Sequence, residues 1–303
     1  MVGTDAMSLT ADPAEVPPVA VEQLERRNRA QTRLRWELLR NLVRKDLKVK
    51  YKGSTLGFAW SLANPLLLMT VYYVVFQLIL KGRIPAFAIY LMSGLLIWNA
   101  FSTAVQGAAT SVVGNANLVK KVRFPLPVLP LSAVGFAIVH FVLQMLVLVV
   151  VVAVTGHDII GWQLLLAIPA MAVALLFTVA LSLLVAALNV RYRDTQHLLE
   201  VALLAWFWLN PIVYDIGLVR DKLGSLMFIY WLNPMSNVVV TMQRAIYKTP
   251  YVGTGPDRQL ILADPGYVWY LEHLLITLVM GALLFVIGLR SFRKRSADFA
   301  EEL

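Results

Sequence analysis

The stretch LGSLMFIYWLNPMSNVVVTMQ, Leu223 to Gln243, carries no charge and is long enough to cross a bilayer. It is broken at Asn233-Pro234 and holds Ser236 and Asn237 just beyond the break. About 20 apolar residues span the hydrocarbon core as a helix, so hydropathy alone permits a crossing here. Charge argues against it. A seventh span would place the basic tail Arg290, Arg293, Lys294 and Arg295 across the membrane from the basic N-terminus, contrary to the positive-inside tendency. With six spans both ends are cytoplasmic, and twenty of the Lys and Arg residues face the cytoplasm. The other seven are Lys81, Arg83, Arg220, Lys222, Arg244, Lys248 and Arg258, five of them in one long loop. Leu223 to Gln243 is therefore expected as helices that dip in from outside and return, which is tolerable only where protein or a water-filled cavity surrounds them.

Composition makes the same demand for a membrane. Of 303 residues, 59% are hydrophobic and only 15% charged, against about a quarter in soluble domains, and the mean hydropathy is +0.69. The chain reads as an all-α integral membrane protein with spans at about 57–80, 87–113, 128–155, 161–188, 197–214 and 267–289. Glu200 and Glu272 lie near span ends, where snorkelling is cheap. The absence of cysteine removes disulfides, thiolate catalysis and zinc-thiolate sites from consideration.

Residues 1–33 are polar, charged and proline-containing, with no apolar core of a secretory signal, and are expected to form a disordered tail. From 34 to 52, Trp36, Leu39, Val43, Leu47 and Tyr51 recur every three or four positions, with Arg40, Arg44, Lys48 and Lys52 on another face. This is a basic amphipathic helix, suited to an anionic lipid surface, to docking a cytoplasmic partner, or to both. Residues 291–303 form a second cytoplasmic tail.

The loop 115–124 holds a short apolar and basic segment, stopped by Pro125 and Pro127. Three basic residues between spans are common, but Leu118, Val119, Val122 and Phe124 give this loop an apolar face that a plain connector does not need. Aromatics gather at Tyr72, Tyr73, Trp206, Phe207, Trp208, Tyr214, Tyr230 and Trp231, near outer span ends or in the re-entrant segment. They suit interfacial anchoring, or, on an inward face, stacking against sugar rings. There is no phosphate-binding glycine loop, no H-E-x-x-H, and no metal-ligand spacing among His140, His157, His197 and His273. No metal site is expected.

Four stretches together resemble the membrane-spanning permease family of bacterial polysaccharide ABC exporters, the type-2 transporters for O-antigen, teichoic acid, cell-wall galactan and related lipid-linked glycans. They are Lys50 to Trp60 running into Asn64-Pro65; Asn117 to Pro125; Arg193-Asp194 with Asn210-Pro211-Ile212-Val213-Tyr214; and Leu232-Asn233-Pro234-Met235 followed by Arg244. The likeness runs from about residue 34 to 290.

The resemblance implies a homodimer with two copies of a separate ATPase subunit, which would bind ATP and Mg, so that no cofactor is expected in this chain and no nucleic acid among its partners. It implies ATPase coupling through Asn117, Leu118, Val119, Lys120, Lys121, Val122, Arg123 and Phe124, with Arg40 and Arg44 on a second interface. A lipid-linked diphosphate head group would be received at Lys48, Lys50, Tyr51, Lys52, Arg191 and Arg193, where charge-assisted bonds replace water. By resemblance, the aromatics named above line the glycan path, and residues 217–248 form short outer gate helices to which Asn233, Pro234 and Arg244 belong. Two other functions compete: a small-molecule or drug exporter permease, and a membrane-embedded transferase acting on a lipid carrier. The latter would need Glu200, Glu272 or His140 as acid or base.

Overall fold

The computed structural model describes residues 18–53, 59–82, 84–121, 124–252, 259–263 and 266–303, with side chains from Thr32 onward except those of Tyr51, Ser61 and Leu62. Helix α1 runs from Pro18 to Tyr51, so it begins well before Leu34. The expected tail is helical from Pro18 on. Glu22, Gln23, Leu24, Glu25, Arg26 and Arg27 are unbranched helix formers, and their polarity marks a solvated helix as readily as a coil. Residues 1–17 lie outside the described residues.

Among the described residues, four helical runs are long and apolar enough to cross a bilayer. They are α3 (Phe87–Ser111), α5 (Val128–Thr155), a run Trp162–Arg191 made of a 3-10 turn and α6 (Ala167–Arg191), and α11 (Tyr267–Arg295). In α3, 72% of the most apolar window is buried, against 22% in α5 and α11. Helix α3 is therefore the centre. Helices α5 and α6 flank it, α11 lies on α6, and α1 lies on α5. The outer helices keep apolar faces such as Val142, Leu146, Val149, Leu275, Val279 and Leu283 exposed, as a lipid-facing surface requires. Helices α6 and α11 approach closely at Gly288, where a Cβ would stand 2.7 Å from the Ala180 carbonyl oxygen. Small residues allow such contact where no hydrophobic drive joins helices within lipid.

Two expected spans take other forms. Helix α2 (Ala59–Tyr72) carries Pro65 and continues as a π-helical segment, Tyr73–Ile79. Gly57, the expected start of this span, lies outside the described residues. Helix α7 (Thr195–Trp208) has 14 residues, a rise of about 21 Å, which is short of a hydrocarbon core of about 30 Å. Past it, Leu209 to Tyr214 form turns rather than helix.

The 217–248 segment is helical and broken. Helix α8 (Ile216–Leu223) starts on Asp215, whose carboxylate accepts from Leu218 N at 2.9 Å. A 3-10 turn at Gly224–Leu226 leads to α9 (Met227–Tyr230), and α10 (Pro234–Ile246) follows. The chain bends by 118° between the two limbs, which together are either a fifth, broken crossing or a re-entrant loop. Pro234 sits in the first turn of α10, where its missing N–H costs nothing.

Between α3 and α5 lies the short helix α4 (Ala116–Lys121). A two-stranded antiparallel ribbon, β1 (Tyr251–Val252) with β2 (Gln259–Leu260), precedes α11. Arg290, Arg293, Lys294 and Arg295 continue α11 rather than forming a separate tail, and α12 (Phe299–Glu302) closes the chain against α4.

Candidate functional site

Two polar assemblies stand at opposite ends of the central helix. At the α4 end, Asn115 is held on both sides: its Nδ2 donates to Ser111 O at 2.8 Å and its Oδ1 accepts from Lys45 Nζ at 3.0 Å. That bond ties α1 to the turn that launches α4. Val119 is buried, and Leu118 and Phe124 are packed beside it, against Val112, Leu183, Ala187, Phe292 and Phe299. The apolar face of the loop therefore belongs to the chain's own core. Asn117, Lys120 and Lys121 point outward and are exposed, while Val122 and Arg123 lie outside the described residues.

Along α1, Arg40 and Arg44 are exposed, as is Trp36, whereas Leu39, Val43 and Leu47 turn toward α5. Val43 fits the space left by Gly135, where a Cβ would come within 2.9 Å of its Cγ2. Lys48 and Lys52 are exposed, and Lys50 stands over the Phe136 ring at 5.1 Å. Partial burial there lowers the proton affinity of the Lys50 ammonium. Tyr51 is helical, with a side chain outside the described set. Arg191 lies over Tyr192 at the end of α6, with Arg193 exposed in the turn that follows. The two basic groups thus sit on separate elements.

At the other end, Asn233 is a junction. Its Oδ1 accepts from Met235 N at 3.2 Å, capping α10, and from Trp206 Nε1 at 2.8 Å. Its Nδ2 donates to Leu209 O at 3.3 Å and to Asn210 Oδ1 at 3.2 Å. The start of α10 is in this way fastened to the end of α7. Neighbouring carbonyls left by the early end of α7 are also satisfied: Gln243 Nε2 donates to Pro211 O at 2.7 Å, and the single proton of Tyr90 Oη is within reach of Tyr214 O at 2.7 Å and of Pro211 O at 3.0 Å. Irregular backbone at membrane depth needs such donors.

Beyond α10, Lys248 takes a left-handed conformation with φ 74°. Its Nζ reaches Asp158 Oδ2 at 2.7 Å and Ile160 O at 3.1 Å, in the turn after α5. The same ammonium holds the Asp158 carboxyl below the usual carboxylate range. Arg244 donates to Lys248 O and lies over the Tyr267 ring.

The eight aromatics divide. Trp206 is partly buried, with its ring against Trp98, Phe101 and Phe177, and Phe207 is buried against Tyr72 and Trp98. Trp231 packs edge-on against Trp269. Tyr230 and one side of Trp206 line a groove of about 580 Å³ between α7 and the α8–α9 limb. Tyr214 donates to Trp208 O, while Tyr73 and Trp208 are exposed. The transferase candidates do not converge: Glu200 is exposed beside His197, Glu272 is exposed on α11, and His140 is buried in α5.

Tyr90, Asn189 and Gln243 were not singled out by motif, and Asn210 and Asn237 were named there without a structural role. Asn189 links three elements, donating to Ala109 O at 2.9 Å and accepting from Gln196 N at 3.1 Å. Asn237 bonds Trp231 O and Thr277 Oγ1 at 3.0 Å each. The available signal was an amide or hydroxyl inside a charge-free run, where a polar group without a partner is costly.

Residues 37–247 match the model of the ABC-2 type transporter family. The chain is 34% identical over 232 residues to the O-antigen export system permease protein RfbA of Myxococcus xanthus, covering 77% of this chain and 88% of that protein. Two proteins of the same name from Klebsiella pneumoniae are 30% and 32% identical over 270 residues, covering 88% of this chain and 95% of theirs.

Proposed function

The chain belongs to the ABC-2 type transporter family, a multi-pass membrane subunit that works with an ABC ATPase, and on that premise we propose that it is the permease of a polysaccharide exporter. It moves a polyprenyl-diphosphate-linked glycan outward from the cytoplasmic side of the cell membrane. The observation that carries the substrate class is the likeness to O-antigen export permeases over most of both chains. In this reading the chain is a transporter subunit. It forms a homodimer with two ATPase copies, which bind the ATP and Mg.

Six crossings accommodate the short α7. Helix α2 with its π-helical continuation spans 59–79, about the length needed, and α7 crosses in part. The remaining depth at α7 is filled by the 209–214 turns, whose carbonyls Tyr90 and Gln243 satisfy, and by α8 to α10 as an outer gate. Both termini are cytoplasmic. Lys45 on Asn115 and α12 on α4 support this by drawing the N-terminal helix, the α4 loop and the C-terminus to one end.

The mechanism is a bias between two states. ATP binding draws the ATPases together and so favours one arrangement of the permease halves. Lys120, Lys121 and Asn117 present the docking face, and because Val119 is seated in the core of α6 and α11, a push on α4 displaces those spans rather than a loose loop. Lys48, Lys50 and Lys52 receive the diphosphate. Tyr230 and Trp206, along their groove, offer sugar faces modest attraction without a fixed register.

Reconstitution with the cognate ATPase tests this. Polyprenyl-diphosphate glycan should stimulate hydrolysis and appear on the far side of the bilayer. Stimulation by small amphiphiles and none by glycolipid would replace the reading with a drug exporter. Transferase activity abolished by Glu200→Gln and Glu272→Gln would replace it with an enzyme.

A further inference from the structure

Several polar side chains from different helices meet in one cavity of about 340 Å³ between α2, α3 and α5. Asn64 comes from α2, Asn99 and Thr103 from α3 one turn apart, His140 and Gln144 from α5 one turn apart, and Lys50 from the end of α1. Among the described residues, nothing gives the side chains of Asn99, Thr103 or Gln144 a hydrogen-bond partner. Asn64 and Thr103 are exposed and Asn99 and Gln144 half-buried, so these groups open into the cavity with bonding capacity to offer a polar molecule, and polar groups gathered within spans mark substrate sites. Helix propensity and lipid contact would both be better served by leucine or alanine at these positions.

Chemistry narrows what that molecule is. Among the described lining residues the one formal charge is that of Lys50, and its ammonium makes a phosphate oxygen a favourable neighbour. The rest of the lining offers amides, an imidazole and a hydroxyl, which both donate and accept and so match a polyhydroxyl group. Trp60, half exposed, stands on the same wall and gives a sugar ring an apolar face. The volume falls within the range of small-ligand pockets.

We infer that this cavity seats the head of a phosphorylated glycolipid, with the phosphate at Lys50 and the adjoining sugar against Asn99, Thr103, His140 and Gln144. The inference rests on the exporter reading for the choice of glycolipid over an ordinary phospholipid. It adds to that reading a site distinct from the aromatic groove at the opposite end of the molecule. A lipid held here would be selected by its first sugar before the chain that follows is committed to transport.

The test uses the full chain with its ATPase in nanodiscs of phosphatidylethanolamine and phosphatidylglycerol. The probe is a polyprenyl-diphosphate monosaccharide with a diazirine on the sugar-proximal isoprene. Label should map to peptides of α2, α3 and α5, and unlabelled probe should displace it about tenfold better than added phosphatidylglycerol. Asn99→Leu with Gln144→Leu should cut labelling about tenfold, the loss of one or two hydrogen bonds. Thr103→Trp, which fills the cavity from an exposed position and removes no buried group, should abolish it. Label confined to α7, equal displacement by phosphatidylglycerol, or unchanged labelling in both variants overturns the assignment. Glycan export by the same complexes is followed in parallel. Export with label elsewhere sinks the cavity and leaves the exporter; label in the cavity without export does the reverse.

Discussion

The indole Nε1 of Trp206 donates to Oδ1 of Asn233 at 2.8 Å, across 27 residues of sequence, and so fixes the C-terminal end of α7 to the first turn of α10. The same oxygen caps α10, so movement of the α7 end is transmitted to a helix terminus rather than to a flexible loop. If α7 and α10 move together when the gate opens, this bond is part of the linkage. Trp206→Phe keeps the ring contacts with Phe101 and Phe177 and removes only the donor. It should reduce glycan export several-fold and leave basal ATP hydrolysis within twofold. Asn233→Ala also loses the cap, worth about 1 kcal/mol, and should lower the unfolding temperature as well. Equal loss of export and basal hydrolysis in Trp206→Phe would reduce the bond to general packing.

The two faces of α4 should separate by mutation. Lys120 and Lys121 are exposed, so Lys120→Glu with Lys121→Glu should leave the permease folded while uncoupling hydrolysis from export. Val119 is buried among Val112, Ala187 and Phe292, and Val119→Asp buries an unpaired carboxylate at a cost of several kcal/mol. That variant should fail in yield and thermal stability before coupling is reached. Size-exclusion profiles with ATPase and export assays on both variants check the contrast. Wild-type export by the double charge reversal would remove the docking role from α4.

Much of this was legible in the sequence, for reasons that differ by element. Charge-free runs at 87–111 and 128–155 can only be apolar helices, because hydropathy over 20 residues leaves no competing reading. The break at Asn233-Pro234 was equally plain, since a cap residue followed by proline is a helix start. Polarity misled at residues 18–33, where charged helix formers read as tail. The loop at Leu118 and Val119 was read for a partner because sequence gives an apolar face without saying what covers it, and Phe292 and Phe299 lie far along the chain. Trp206 and Trp208 are two residues apart, yet one packs in the core and the other is half exposed. Aromatic composition was visible, but the orientation of each ring depends on contacts that no local pattern encodes.

Gly288 and Gly281 give a paired test of helix spacing. A Cβ at Gly288 would lie 2.7 Å from a backbone carbonyl of Ala180, which cannot rotate away, whereas one at Gly281 meets Phe177 atoms at 3.6 Å, ordinary contact distance. Gly288→Ala should therefore push α11 off α6 and destabilise by about 1–3 kcal/mol. Gly281→Ala should be neutral or slightly stabilising, as glycine is a poor helix former. Thermal unfolding of the two variants in the same detergent decides it, and similar losses in both would show that the crossing is no tighter at Gly288 than at Gly281.

Lys248 and Asp158 join the segment after α10 to the turn after α5 at 2.7 Å, both partly or largely in solvent. Such a pair adds little to unfolding stability, so its effect belongs to local motion. Because the folded carboxyl is held below its unfolded value, the contribution is present above the ordinary aspartate range and is lost only as pH falls through the lowered value. Between pH 5 and 8 the latch should not change. The chain has no cysteine, so spin labels at Ile160→Cys and Thr249→Cys report this distance cleanly. The distribution should be narrow and constant from pH 8 to 5, and should broaden with Asp158→Asn, accompanied by faster hydrogen exchange around Tyr247 to Thr249. A narrow distribution in Asp158→Asn would assign closure to His157, whose Nε2 contacts Tyr247 O at 3.0 Å, rather than to the ion pair.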